Sequence, residues 1–190
     1  MNVNKINLMI KKATQSLKFS NNHSRLSLFW FVAIIGLIAP WAVQVLHSQE
    51  TTTTRDGTVS SVYDGDTMRV KCDGELMKVR LHCIDTPEMG QRPWGKESRD
   101  YLRELAPRRS SVQIKGHKKD RYGRLIGVVL KDGENLNLVM VREGQAAVYV
   151  KYCHDRSYYQ AEIQAKEADR GVWGKEGEHQ RPWVWRHARK

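Results

Sequence analysis

No two cysteines of this 190-residue sequence are spaced as CxxC, and no zinc-type Cys/His pattern joins Cys72, Cys83 and Cys153. Neither a structural zinc site nor a disulfide-dense scaffold is therefore expected. At most one internal disulfide can form. Cys72 and Cys83 fall on neighbouring strands, where they read equally as a bridge or as two small apolar residues of a core. Low-complexity tracts and internal repeats are also lacking, while 40% of the residues are hydrophobic, with six Trp and seven Tyr. Disorder throughout is thereby excluded and one compact domain is the default. Acidic residues are scarce: 21 Asp+Glu face 32 Lys+Arg, for a formal charge of +11 and a pI near 9.7. Such an excess implies a polyanionic partner, nucleic acid or an anionic membrane surface, or in part a topology signal.

The scarcity is greatest at the start, where no acid precedes Glu50 but Lys5, Lys11, Lys12, Lys18 and Arg25 do. Residues 26–46 (LSLFWFVAIIGLIAPWAVQVL) then run without a charge, long enough to cross a bilayer as a helix. The positive-inside rule keeps residues 1–25 in the cytoplasm and exports the chain beyond residue 46. A retained single-pass anchor in the cell membrane is the first reading, given the length and the want of an A-x-A cleavage site. A cleaved signal peptide, releasing a periplasmic or secreted protein, is the alternative, with Pro40 marking the end of its core; a buried soluble helix is the third. Residues 47–55 read as a polar tether, 56–176 as the folded domain, and 177–190 as a basic tail whose Trp183 and Trp185 pack back on it. Without the five leading cations, 27 basic residues still face 21 acidic ones.

Period-two alternation places Met68, Val70 and Cys72, then Met77, Val79, Leu81 and Cys83, on single faces of two strands. Asp73-Gly74 between them accepts the positive φ angles of a tight hairpin. Val112–Lys115, Leu125–Leu130 and Ala147–Tyr152 are further strand-like runs, and with Thr58–Tyr63 running into the first strand there are about five strands. Helices are expected over Lys96–Ala106, Leu136–Glu143 and Tyr158–Arg170, the last opened by a Ser157/Gln160 capping box and burying Tyr158, Ala161, Ala165 and Ala168. The predicted class is α+β: a five-stranded Greek-key barrel of the oligonucleotide/oligosaccharide-binding (OB) type with about three helices.

Three segments concentrate chemistry-bearing residues: Tyr63-Asp64-Gly65-Asp66-Thr67, then Val79-Arg80-Leu81-His82-Cys83-Ile84-Asp85-Thr86-Pro87-Glu88, then Asp120-Arg121-Tyr122-Gly123-Arg124. Singly each reads as readily as a turn, a solvated face or a helix cap. In their order and spacing, joined by Asn137, Arg142-Glu143-Gly144 and Gly171-Val172-Trp173, they resemble the staphylococcal-nuclease-like (thermonuclease) family from about Thr58 to Gly174. The resemblance implies one Ca²⁺ held by Asp66, Asp85 and the carbonyl of Thr86. It also implies Glu88 as base for the attacking water, Arg80 and Arg124 as the grip on the scissile phosphate, and Tyr122 and Tyr152 as substrate contacts. Two departures are visible. Tyr149 and Tyr152 are spaced unlike the family's close Tyr pair, and the stretch Met89–Gly95 is shorter than its Lys-rich loop.

Such a set suits phosphodiester cleavage. A hard cation takes oxygen ligands; guanidinium groups stay protonated and meet charge on phosphate oxygens bidentately; a carboxylate beside the water contributes about 10²–10⁴-fold. The expectation is a monomeric, calcium-dependent nuclease of DNA and RNA with low sequence specificity and no obligatory protein partner. A non-catalytic nucleic-acid-binding barrel and a membrane-attached interaction module are the alternatives.

Overall fold

The computed structural model describes residues 53–188. Residues 1–25, the apolar run 26–46 and most of the expected tether lie outside them. Among the described residues no helix is long and apolar enough to cross a membrane.

Alternation builds the barrel. Strand β1 (Thr53–Val62) pairs antiparallel with β2 (Thr67–Cys72), which turns through Asp73 and Gly74, both at positive φ, into β3 (Glu75–Leu81). A two-residue strand β4 (Ile84–Asp85) comes next along the chain, outside this sheet. On the far side of β1 lies β5 (Ser111–Lys119), paired with β6 (Leu125–Lys131), whose end carries the short β7 (Glu134–Asn135). The sheet closes on itself because β6 also pairs parallel with β3, Val79 facing Leu125 and Leu81 facing Gly127. A closed five-stranded barrel results, as the alternation predicts. Its interior is filled by Val59, Met68, Val70, Val79, Leu81, Ile114 and Val129, all at most 1% exposed. β1 begins at Thr53, three residues before the expected domain start.

Asn137 locks the closure. It is fully buried, its Nδ2 donating to the carbonyls of His82 (3.0 Å) and Gly127 (3.1 Å) while its Oδ1 accepts from Val129 N–H (3.1 Å). One amide thus satisfies three backbone groups at the β3–β6 seam.

Among the described residues, four α-helices accompany the barrel. These are α1 (Trp94–Leu105), α2 (Leu136–Arg142), α3 (Arg156–Glu167) and α4 (Pro182–Ala188). Asn135 caps α2 through Leu138 N–H. The capping box expected at Ser157 is corrected: Asp155 caps α3, accepting from the N–H of Ser157, which sits inside the first turn. Tyr158, Ala161 and Ala165 are buried as predicted, whereas Ala168 is exposed past the helix end. The tail, expected only to pack back, carries α4.

Two further expectations change, for one reason. The run Ala147–Tyr152 is a strand only over Ala147–Val148 (β8), paired with β4, and then coils into a 3₁₀ turn at Val150–Tyr152. That turn delivers Cys153 to Cys83, and the two form the disulfide. The Cys72–Cys83 bridge is excluded. Cys72 stands opposite Glu75 at the closed end of the β2–β3 hairpin and is a free, buried thiol, whereas Cys83 lies past the open end.

Candidate active site

The open end of that hairpin collects the carboxylates. Asp66 ends the β1–β2 loop, whose Gly65 lies so close to α1 that a Cβ there would sit 1.9 Å from Ser98 Oγ. Its backbone carbonyl accepts from Leu81 N–H at 2.8 Å, tying the loop to β3. Cross-strand pairing sets Arg80 opposite Thr67. Asp85 belongs to β4 and Thr86 comes directly after it. Glu88 lies on the stretch leading to α1, held by reciprocal bonds with Gln91: Glu88 N–H to Gln91 Oε1 and Gln91 N–H to Glu88 O, both 2.7 Å. Gly95 admits this loop, since a Cβ there would lie 2.0 Å from the Glu88 carbonyl.

Asp66 Oδ2 accepts from Thr86 N–H (3.3 Å) and Thr86 Oγ1 (3.0 Å), and Asp66 Oδ1 from Thr67 Oγ1 (3.0 Å). Arg80 pairs through Nη1 with Asp66 and through Nη2 with Asp85 (3.2 Å). Arg186 of α4 enters from the other side, its Nη2 donating to Asp85 Oδ2 (2.6 Å) and its Nη1 to Asp85 Oδ1 (3.2 Å) and Glu88 Oε1 (2.7 Å). Asp66, Asp85 and Thr86 are 7%, 0% and 3% exposed.

Like charge is crowded here under partial burial. Burial and the neighbouring Asp66 carboxylate push Asp64 up to about 7, against the pull of Asp66 N–H and Arg80. Burial likewise raises Asp85, although Arg186 and Arg80 oppose it. Burial lowers both Arg80 and Arg186, but the carboxylates around them more than compensate and hold each guanidinium charged.

Arg124 stands apart from this cluster. It directly precedes Leu125, which the β3–β6 register sets beside Val79, so it lies at the same end of the barrel as Arg80. Its Nε donates to Asp120 Oδ2 at 2.7 Å, and Asp120 also accepts from the N–H groups of Tyr122 (2.9 Å) and Arg124 (3.0 Å). Burial raises Asp120, yet these bonds bring it below the usual carboxylate range. Tyr122 is exposed, with the guanidiniums of Arg121 and Arg124 over its ring at 4.8 and 5.5 Å. Tyr152 is exposed, meets Tyr149 edge-on (4.9 Å) and has Lys151 over its ring. The Cys83–Cys153 disulfide and the bond from Tyr149 N–H to the Cys83 carbonyl (2.8 Å) fix that segment two residues from Asp85. Tyr63, exposed beside Asp64 with Lys78 over it at 5.2 Å, repeats the motif of an open ring carrying a cation.

Residues 78–175 match the family described as staphylococcal nuclease homologue. An "uncharacterized endonuclease" of Escherichia coli O157:H7 is 37% identical over 132 residues, which cover 69% of this chain and 84% of the relative. A "micrococcal nuclease" of Shigella flexneri is 37% identical over 145 residues, 70% of this chain and 82% of its own. An "uncharacterized endonuclease" of Haemophilus influenzae is 34% identical over 160 residues, 84% of this chain and 86% of the relative. The chain belongs to the staphylococcal nuclease homologue family. Its matched span includes Arg80, Asp85, Thr86, Glu88, Tyr122, Arg124 and Tyr152, whereas Asp66 precedes it and Arg186 lies beyond it.

Sequence reasoning in this nuclease homologue brings five residues to one cluster: Asp66, Arg80, Asp85, Thr86 and Glu88. It missed Arg186, which lies 101 residues from Asp85 in a tail read only as basic and Trp-bearing. It also missed Gln91, whose signal is weak, and the role of Asp64, which the Asp-Gly-Asp motif contains. Among the described residues no group of three or more His, Cys, Asp or Glu forms a metal cluster. What the cluster could offer a cation is two carboxylates that already converge on one guanidinium, with Thr86 bonded to Asp66 and next in sequence to Asp85. That all-oxygen, anionic set fits a hard divalent ion and not a soft one.

Proposed function

We propose that this staphylococcal nuclease homologue is a calcium-dependent nuclease that hydrolyses phosphodiester bonds of DNA and RNA with little sequence discrimination. The observation that carries the reading is the convergence of Asp66, Asp85 and Thr86 around Arg80, with Glu88 at the rim, on the open end of an OB-type barrel. Asp66, Asp85 and the Thr86 carbonyl would hold Ca²⁺, which when bound supplies positive charge against that building on the phosphate oxygens.

Arg80 is half-buried, charged and pre-aimed by two carboxylates, so its donors need little reorganisation when a phosphate replaces part of that pairing. Arg124 would leave Asp120 to take a second phosphate oxygen bidentately. Glu88, at the half-exposed rim and fixed by Gln91, can accept the proton of an attacking water. Tyr122 and Tyr152 offer open π-faces, and stacking tolerates any base, which supports low specificity. The domain's basic excess would hold the backbone without reading sequence. We further propose that the protein acts as a monomer on the outer side of the cytoplasmic membrane, held by residues 26–46 or released by their removal.

The test is incubation of the protein with plasmid and single-stranded DNA and with RNA, in Ca²⁺ and in chelator. Degradation of all three only with Ca²⁺ is expected. Retention without degradation under both conditions would instead make the protein a nucleic-acid-binding barrel.

A further inference from the structure

Arg186 has no part in that chemistry, yet it occupies the centre of it. One guanidinium takes both oxygens of the buried Asp85 carboxylate and one oxygen of Glu88, with donor–acceptor distances of 2.6, 3.2 and 2.7 Å. These are the oxygens the reaction needs, Asp85 toward a cation and Glu88 toward water. A carboxylate oxygen that receives so short a charge-assisted bond is not free to ligate an ion, and a second cation at the same spot would meet the guanidinium's charge.

We propose that α4 is a displaceable plug: Arg186 stands in the place of the divalent cation, so that docking of the helix and binding of the metal exclude one another. The proposal rests on the reading of Asp66 and Asp85 as cation ligands. The attachment of the segment has the form such a device needs. Trp94 stacks on His179 at 4.2 Å, Gln91 Nε2 donates to the Glu178 carbonyl at 3.3 Å, and the Trp185 ring lies so near Gly90 that a Cβ there would be 3.1 Å from it. All three contacts are made on Gly90–Trp94, just beyond Glu88, and they aim α4 at the site.

The helix itself is lightly held. Of residues 181–188 only Pro182 is buried, and Trp183, Trp185 and Arg186 are half-buried, so α4 is held by its edge and by the Arg186 bonds and not by a place in the core. Exchange of a monovalent guanidinium for a divalent ion returns more positive charge to Asp85 than it removes. Release of Arg186 also frees Glu88, so a single event would open the cation site and the base together. The plug lies beyond residue 175, outside the span that matches the family. Its helix pairs with none of the barrel strands.

Calorimetry with Ca²⁺ alone, without nucleic acid, tests the plug on the full chain in four forms: unaltered, Arg186→Gln, Trp185→Ala and Asp66→Asn. If the plug is docked nine-tenths of the time, its removal tightens apparent affinity about tenfold. Arg186→Gln and Trp185→Ala should both show this gain, the second without touching a carboxylate. Asp66→Asn should weaken binding. In the unaltered chain, Ca²⁺ should accelerate amide hydrogen exchange over residues 182–188. Affinity in Arg186→Gln equal to or weaker than that of the unaltered chain, with Asp66→Asn still weakening it, would overturn the plug and leave the cation site standing. Binding that is absent, or indifferent to Asp66→Asn, would overturn both.

Discussion

Arg80 and Arg124 perform the same task in the proposed reaction from unlike surroundings. Arg80 neutralises two buried carboxylates, whereas Arg124 is tied to Asp120 at the surface end of β6. Replacing either with Ala should lower single-turnover cleavage about 10²–10³-fold, the effect of losing one preorganised donor. Arg80→Ala should in addition lower stability by about 3 kcal/mol, near the low end for a broken buried pair because Arg186 still meets Asp85. Urea midpoints separate the two: Arg124→Ala is expected to keep that of the parent protein. Equal stability of both variants would mean that Arg80 does not neutralise the cluster.

Tyr158 gives a second expectation on the residue scale. Burial pushes its phenol up to about 12 from an ordinary 10.0, although Asn135 hydrogen-bonds it. The folded state thus holds the proton more tightly than the unfolded one. Its stabilising share is complete below pH 10 and is lost as pH rises through 12, in all about 2–3 kcal/mol for two units. Tyr158→Phe removes the titrating group, so its thermal midpoint should fall less between pH 10 and 12 than that of the unaltered protein. A parallel fall in both would show that the alkaline loss has another source.

At the scale of elements, closure of the barrel depends on Asn137. Asn137→Ala leaves Val129 N–H and the His82 carbonyl without their side-chain partner at a buried seam, which should cost about 2–3 kcal/mol in urea unfolding. A loss below about 0.5 kcal/mol would mean that β3–β6 pairing stands without it. The strands and the Asp73-Gly74 turn were legible because their signals are local: alternation, a positive-φ dipeptide and apolar faces at Met68, Val70 and Val79. The five clustered residues were legible only through the resemblance of their segments to the staphylococcal-nuclease-like family, since each segment alone reads as readily as a turn, a solvated face or a helix cap.

The parts that were not legible depend on long-range geometry. Ala147–Tyr152 alternates well enough for a strand, but the chain leaves β8 after Val148 and coils through Val150–Tyr152 to the disulfide with Cys83, a partner 70 residues away. The cap of α3 was misplaced because Ser157 and Asp155 are both good caps, and the backbone path decided between them. Arg186 carries no periodicity or motif at all; its role exists only once the chain has folded across 101 residues.

At the scale of the whole molecule, compartment and charge converge on one expectation. On the proposed topology, five cations before residue 26 and no acid before Glu50 would orient the apolar run with its N-terminus inward and put the nuclease domain outside. Independently, Cys83 and Cys153 are paired, and such a bond persists in an oxidising compartment and not in a reducing cytosol. Protease added outside the cytoplasmic membrane should therefore reach the domain, and thiol counting on the denatured native protein should find Cys72 alone reactive. Anchor and signal peptide then differ in mass and partitioning. An anchored protein keeps residues 1–46, sediments with membranes and resists high salt, because an apolar span is not held by charges that salt screens. Intact mass of the natively expressed protein decides the matter. A soluble species beginning between residues 43 and 50 would replace the anchor with a signal peptide and leave export intact. A full-length soluble cytoplasmic protein with three reactive thiols would sink export, the anchor and the disulfide's role together.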